Sequence, residues 1–164
     1  MITNVPTLRP ASESDVVFLL DVILYAQFRP GNHERDFTRV DQEEFAQWTL
    51  EHVRGEHPGS TTSVIELHGR PIGRHRVVRT PEYIQLAGIQ LLPEHRSHGY
   101  GSYLIHALMD EARLCGKWVR IHVEKENDRA YKLYRSLGFE PFGEDDREYW
   151  LQWKPSTNNS EVSA

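Results

Sequence analysis

The run Arg96-Ser97-His98-Gly99-Tyr100-Gly101 sets an arginine and two glycines directly ahead of a stretch in which Leu104, Leu108, Ala112 and Cys115 recur at helical spacing. Glycines at the mouth of a helix let the chain curl so that several backbone N–H groups meet at one spot. The helix dipole adds partial positive charge there, and the product is a site for phosphate or pyrophosphate. Arg96 adds formal charge at its rim. Two familiar phosphate loops do not match the letters. A Walker loop has a lysine before its Ser/Thr, whereas Ser102 follows Gly101 directly, and the dinucleotide fingerprint has a third glycine where Leu104 stands. Gly-x-Gly before a helix is also ordinary turn chemistry.

The segment feeding this turn, Tyr83 to Leu92, reads as a strand that changes phase. Ile84 and Leu86 are apolar at even positions, Ile89 and Leu91 at odd ones, with Gln85 and Gln90 between them. A regular strand alternates faces with period two, so an extra residue at Ala87-Gly88 is needed to keep one face apolar. A bulge there frees backbone N–H and C=O groups to pair with an extended, amide-containing ligand. The competing reading is a fully buried strand with two satisfied glutamines.

The loop Arg96-Ser97-His98-Gly99-Tyr100-Gly101 resembles the Arg/Gln-x-x-Gly-x-Gly/Ala acyl-CoA loop of the GNAT superfamily, the Gcn-related N-acetyltransferases. A second signature of that family, Asn127-x-x-Ala130-x-x-x-Tyr134-x-x-x-Gly138-Phe139, follows in the family's order. The resemblance covers roughly Tyr83 to Phe142, while the N-terminal third matches only in element order. It implies a sheet whose fourth and fifth strands splay apart, with acyl-CoA in the splay. The pantetheine arm would pair with the backbone of Ile89, Gln90 and Leu91. The pyrophosphate would lie on the loop and helix head, at Arg96, Ser97, His98, Gly99, Tyr100, Gly101 and Ser102. Many relatives have a lysine or arginine at the position of His98. Asn127 matches the position that caps the next helix and can contact the cofactor, although a plain N-cap accounts for it equally.

The implied reaction is direct attack of an amine on a thioester, which needs a neutral amine, a donor for the carbonyl oxygen and a proton or hydrogen bond for the leaving thiolate. Tyr134 matches the family tyrosine that serves the thiolate, while Ala130, Leu133, Tyr134 and Leu137 also form one helical stripe of core type. The base is where the chain departs from its relatives. Several of them carry a glutamate or histidine where Gln85 stands, and neither Gln85 nor Ala87 takes up a proton at neutral pH. Glu82, His75, His122 and Glu124 are the remaining candidates, directly or through water, and a weakly basic acceptor needs little help.

The elements that must position these residues follow from periodicity and punctuation. Val5 to Arg9 is a strand stopped by Pro10, and Val16 to Phe28 a helix behind Ser12-Glu13-Ser14-Asp15. Arg29 to Val40 reads as a loop and Asp41 to Val53 as a second helix. Strands follow at Thr62 to Leu67, Ile72 to Val78 and Tyr83 to Leu92, then a helix at Gly101 to Cys115 and a strand at Trp118 to Val123. A helix at Asp128 to Leu137 and a hairpin of Phe139 to Phe142 with Tyr149 to Trp153 complete the order. The fold class expected is α+β in αβα layers: a mixed, mostly antiparallel sheet of about seven strands with four helices, the fourth and fifth strands splayed. Residues 1–154 form a single domain, and the Ser- and Asn-rich tail from Pro155 is expected to be disordered.

The chain has 164 residues, 38% hydrophobic and 26% charged, which fits one globular domain. With 19 basic and 24 acidic residues its net charge is -5, giving nucleic-acid binding no support. No apolar stretch reaches membrane-spanning length, the N-terminus has no signal-peptide pattern, and the single cysteine fits a reducing compartment. A cytoplasmic protein is expected. The nine histidines lack a metal-binding pairing, so no metal is expected. Cys115, Trp48, Trp118, Trp150 and Trp153 read as packing residues. The expectation is an acetyl-CoA-dependent N-acetyltransferase acting on an amine of a small molecule or peptide, as a monomer or homodimer. A non-catalytic acyl-CoA-binding module is the alternative, favoured by Gln85.

Overall fold

A computed structural model of the chain describes residues 4–27 and 39–156. Seven strands and four helices occur in the expected order: β1 (Thr7–Pro10), α1 (Val16–Gln27), α2 (Arg39–Val53), β2 (Ser60–Leu67), β3 (Arg70–Arg79), β4 (Tyr83–Leu91), α3 (Tyr100–Cys115), β5 (Trp118–Glu124), α4 (Asp128–Ser136), β6 (Glu140–Glu144) and β7 (Glu148–Trp153). The strands form one sheet in the order β1-β2-β3-β4-β5-β7-β6. Its pairings are antiparallel except β4 with β5, the strands joined by the α3 crossover. Phe28, the expected loop up to residue 38 and the tail from residue 157 lie outside the described residues.

Strand alternation decides which face each helix covers. Val77, Ile84, Leu86, Val119, Ile121 and Leu151 point to one face, where they are buried with Ile105, Leu108, Met109 and Ala112 of α3 and Tyr134 of α4. Full burial of side chains such as Ile84 and Ile121 contributes roughly 1.5–3 kcal/mol each. The opposite face carries Arg74 and Arg76, whose guanidiniums lie over the indole of Trp48 on α2. The sheet is thus sandwiched between α1 and α2 on one side and α3 and α4 on the other.

Two expectations are corrected. Pro10 does not stop β1 but is its last residue, paired with Ser63, because an edge strand tolerates a missing N–H. Cys115 is exposed rather than packed, since the last turn of α3 runs past the sheet that buries Leu104, Leu108 and Ala112. The tryptophans pack as partly buried residues: Trp153 lies against the α3-side core under Arg113, Arg76 covers Trp48, Lys154 covers Trp118, and the His122 ring stacks on Trp150 of the hairpin. Single 3-10 turns at Glu13–Asp15 and Pro93–His95 were not anticipated.

His75 alternates with the two arginines and so faces α3, where it is buried. Burial, reinforced by Arg79 and Arg74 and opposed by Glu111, pushes its imidazole down to about 4. The folded chain therefore refuses a proton that the unfolded chain accepts. Stability is unaffected above the unfolded pKa of about 6.5 and falls as pH drops from there toward 4. By pH 5 the loss from His75 should be about 2 kcal/mol, on top of a smaller one of the same sign from His52, whose pKa burial also lowers. Urea unfolding at pH 7.5 and pH 5 should show this drop, and His75→Gln should remove most of it.

Candidate functional site

The β3–β4 register pairs Arg76 with Gly88 but Val77 with Leu86, so Ala87 is the extra residue. The bulge lies where the phase flip requires it. Before it, Ile84 and Leu86 face α3; after it, Ile89 and Leu91 do, and Gln85, Gly88 and Gln90 face α2. The parallel pairing of β4 with β5 covers Tyr83–Leu86 against Trp118–Ile121 and ends at the bulge. Beyond it β4 stays on β3 as far as Leu91, while β5 stays on β7 as far as Glu124. Each half keeps its outer partner, and a seam opens between them.

Gly88 fits this place because it has no side chain. A Cβ there would stand 2.3 Å from Nη1 of Arg74, which crosses the strand and donates to Gln90 Oε1 at 3.0 Å.

The glycine turn delivers the helix head to the same end of the sheet. Ser97 and Gly99 adopt left-handed backbone angles, φ 65 and 81, and Gly99 is the N-cap of α3. The Tyr103 N–H donates to the Gly99 carbonyl at 3.0 Å and closes the first turn. The N–H groups of Tyr100, Gly101 and Ser102 accordingly have no helical acceptor, and the space beside Gly99 and Gly101 is open. Arg96 folds back, its Nε donating to the Leu91 carbonyl at 3.0 Å, so it braces the loop against the end of β4. Arg129 on α4 reaches the Ser97 hydroxyl, and the His98 ring stacks on Tyr100 with centroids 5.6 Å apart.

On the α3 face the buried Tyr134 belongs to the cluster containing Leu86, Ile121 and Val123, its ring 6.1 Å from that of Phe139. Asn127 caps α4, its Oδ1 accepting the Ala130 N–H at 3.2 Å.

The base candidates separate by position. His75 faces α3, across the sheet from α2. Glu82 lies where the strands are still joined, its carbonyl accepting the Trp118 N–H at 3.3 Å. Glu124 is exposed at the far end of β5, opposite Glu148. His122 is the first residue of β5 beyond the last pair with β4 and lies on the α2 face with Gln85 and Arg120. Its Nδ1 is 3.4 Å from Glu148 Oε2. The same face holds Arg74, Arg76 and Arg120, which sequence reasoning passed over. The signal was available, because two arginines flank a histidine inside a central strand, where charge is rare.

Residues 22–139 match the model of the Acetyltransferase (GNAT) family. The chain belongs to this family. The open helix head and the bulged seam lie at the same end of the sheet, joined through Arg96 and Leu91. The chain is 44% identical over 48 residues to the L-amino acid N-acyltransferase MnaT of Escherichia coli, over 29% of this chain and 28% of that one. It is 37% identical over 78 residues to the N-alpha-acetyltransferase RimI of Mycobacterium tuberculosis, over 47% of this chain and 48% of that one. These matches span under half the length of the curated relatives. Among solved structures, the PaiA N-acetyltransferase of Thermoplasma acidophilum in complex with coenzyme A shares the fold with a TM-score of 0.73 at 16% identity, over 92% of this chain and 99% of that one. Among the described residues no cluster of metal-binding side chains occurs, and no helix is long and apolar enough to cross a membrane.

Asn127→Ala should cost about 1 kcal/mol of stability through the lost cap. Thermal unfolding reads the cap, and calorimetric titration with acetyl-CoA separates it from a cofactor contact, which alone would weaken binding.

Proposed function

We propose that the chain is an N-acyltransferase that moves an acetyl group from acetyl-CoA to an amine of a small molecule or peptide, by direct attack and without a covalent enzyme intermediate. The seam past Ala87 is the observation that carries this reading. It offers unpaired strand backbone beside an open helix head, which suits a molecule that is amide-bearing along its arm and anionic at its end. The relatives differ in the acceptors they are named for: L-amino acids for MnaT, and spermidine for a similar structure from Vibrio cholerae. An amine is common to them.

Acetyl-CoA, when bound, supplies an activated acyl carbonyl. The backbone of Ile89, Gln90 and Leu91 pairs with its pantetheine arm, and the N–H groups of Tyr100, Gly101 and Ser102 hold its pyrophosphate. A fixed N–H of the bulged strand receives the carbonyl oxygen as negative charge develops on it. His122 takes the proton the amine loses as the C–N bond forms, and Glu148 orients the imidazole through Nδ1. Tyr134 donates a hydrogen bond to the thiolate as the C–S bond breaks. This division places the base on the α2 side of the seam and the leaving group on the α3 side, so neither has to cross the sheet.

The second reading, a non-catalytic acyl-CoA-binding module, draws on Gln85, which stands where several relatives hold a base. Release of free thiol during incubation with acetyl-CoA and an amine panel supports the enzyme; binding of acetyl-CoA without thiol release on every amine supports the module. For the enzyme, His122→Gln should lower kcat by roughly 100-fold. Tyr134→Phe should lower turnover more than acetyl-CoA affinity. Unchanged turnover in either variant removes that residue from the mechanism.

A further inference from the structure

Several arginines of this protein are held by ion pairs. Arg9 pairs with Asp15 and Glu66, Arg79 with Glu111, and Arg135 with Glu140, all at or near the surface. Arg74 and Arg76 instead lie under α2, and among the described residues neither forms an ion pair. Arg74 is 3% exposed. Its Nη1 meets Gln90 Oε1 and that of Arg76 meets Ser60 Oγ, but the Nε of each is buried with no acceptor among the described residues. The Oγ1 of Thr62, directly opposite Arg76 on β2, is also buried without a partner.

These atoms gather in one place. Both guanidiniums lie over the Trp48 ring, 5.9 and 4.8 Å from its centroid. Two positive charges held side by side, Arg74 buried and Arg76 half-buried, raise each other's cost, and burial together with Arg76 pulls the Arg74 guanidinium down to about 10. Cation–π contact with one indole and hydrogen bonds to a glutamine and a serine do not balance two charges. An oxyanion does, because it accepts N–H donors at both arginines and the Thr62 hydroxyl. The cluster also borders the reaction site: Arg74 crosses Gly88, the residue beside Ala87 where the seam opens.

We propose that Arg74 and Arg76, with Thr62, bind a carboxylate carried by the acceptor, so that the amine this protein acetylates belongs to an amino acid rather than to a polycation or an uncharged amine. The proposal rests on the acetyl-transfer reading. A carboxylate seated on the two arginines sets the neighbouring amino group at the α2 side of the bulge, toward the face that carries His122. A polyamine would bring further positive charge to a place that already holds two.

The experiment pairs each L-amino acid with its carboxamide, which removes the charge and keeps the amine, and measures thiol release at saturating acetyl-CoA. For the acids that react, kcat/KM should fall roughly 10- to 100-fold in the amide. Arg76→Gln should shrink that ratio by raising KM for the acid more than for the amide. Its thermal unfolding and acetyl-CoA affinity check that the variant is folded. A second measurement does not depend on turnover: calorimetric binding of N-acetyl-L-amino acids, the expected products, to the CoA-loaded protein, which Arg76→Gln should weaken. Equal turnover of acids and amides, or preference for spermidine, overturns the carboxylate assignment and leaves acetyl transfer standing. Acetyl-CoA binding without turnover of any amine overturns the acetyl-transfer reading. Absence of product binding in the wild-type protein overturns the arginine site on its own.

Discussion

Everything functional in this fold depends on one residue too many. Ala87 has no partner on β3, and that single insertion turns the far half of β4 away from β5 while each strand keeps its outer hydrogen bonds. Opening a sheet between two central strands normally strands a row of buried polar groups, which is costly. Here the cost is limited to a short seam, and α3 and α4 still pack over the joined part of both strands. The bulge also reverses which residues face which helix. Apolar side chains stay on the α3 side throughout, and Gln85, Gly88 and Gln90 are turned to the α2 side. One local irregularity thus sets both the place for a donor and the chemistry of the surface across which an acceptor approaches.

The glycine turn works with the bulge because both end at the same edge. Arg96 grips the Leu91 carbonyl and ties the loop to the last residue of β4, so the helix head cannot drift from the seam. This role differs from the one its charge alone implies. A guanidinium read as a rim charge in the sequence is a brace in the structure, and the backbone of the helix head is left as the anion-facing surface.

The legible parts of the sequence were those governed by local period and local turn chemistry. The phase change located the bulge to the pair Ala87-Gly88, and the spacing of Leu104, Leu108 and Ala112 marked the buried stripe of α3. Element order held throughout, with ends shifted by a residue or two where edge pairing decided them, as at Pro10. Tertiary placement was not legible. Cys115 continues the α3 stripe but leaves the sheet behind, and each tryptophan packs only partly buried, beside a cation or another ring. The choice among His75, His122, Glu82 and Glu124 required knowing which face and which end of the sheet each occupies. The arginine pair was hidden for the opposite reason. Charge in a strand reads as an exposed face until a helix is seen to cover it.

The sheet behaves as two rafts lashed together at four rungs, Tyr83–Leu86 on Trp118–Ile121. One raft carries β1 to β4 and the other β5 to β7, with free backbone along the inner margin of each past the lashing. Under the proposed function a donor in the gap would supply the missing rungs and act as a structural member as well as a reactant. Loading it should stiffen both rafts at once, because whatever binds only the closed arrangement stabilises it by mass action. Under the proposed function the reacting molecules would therefore meet along the joint that holds the two halves of the sheet together.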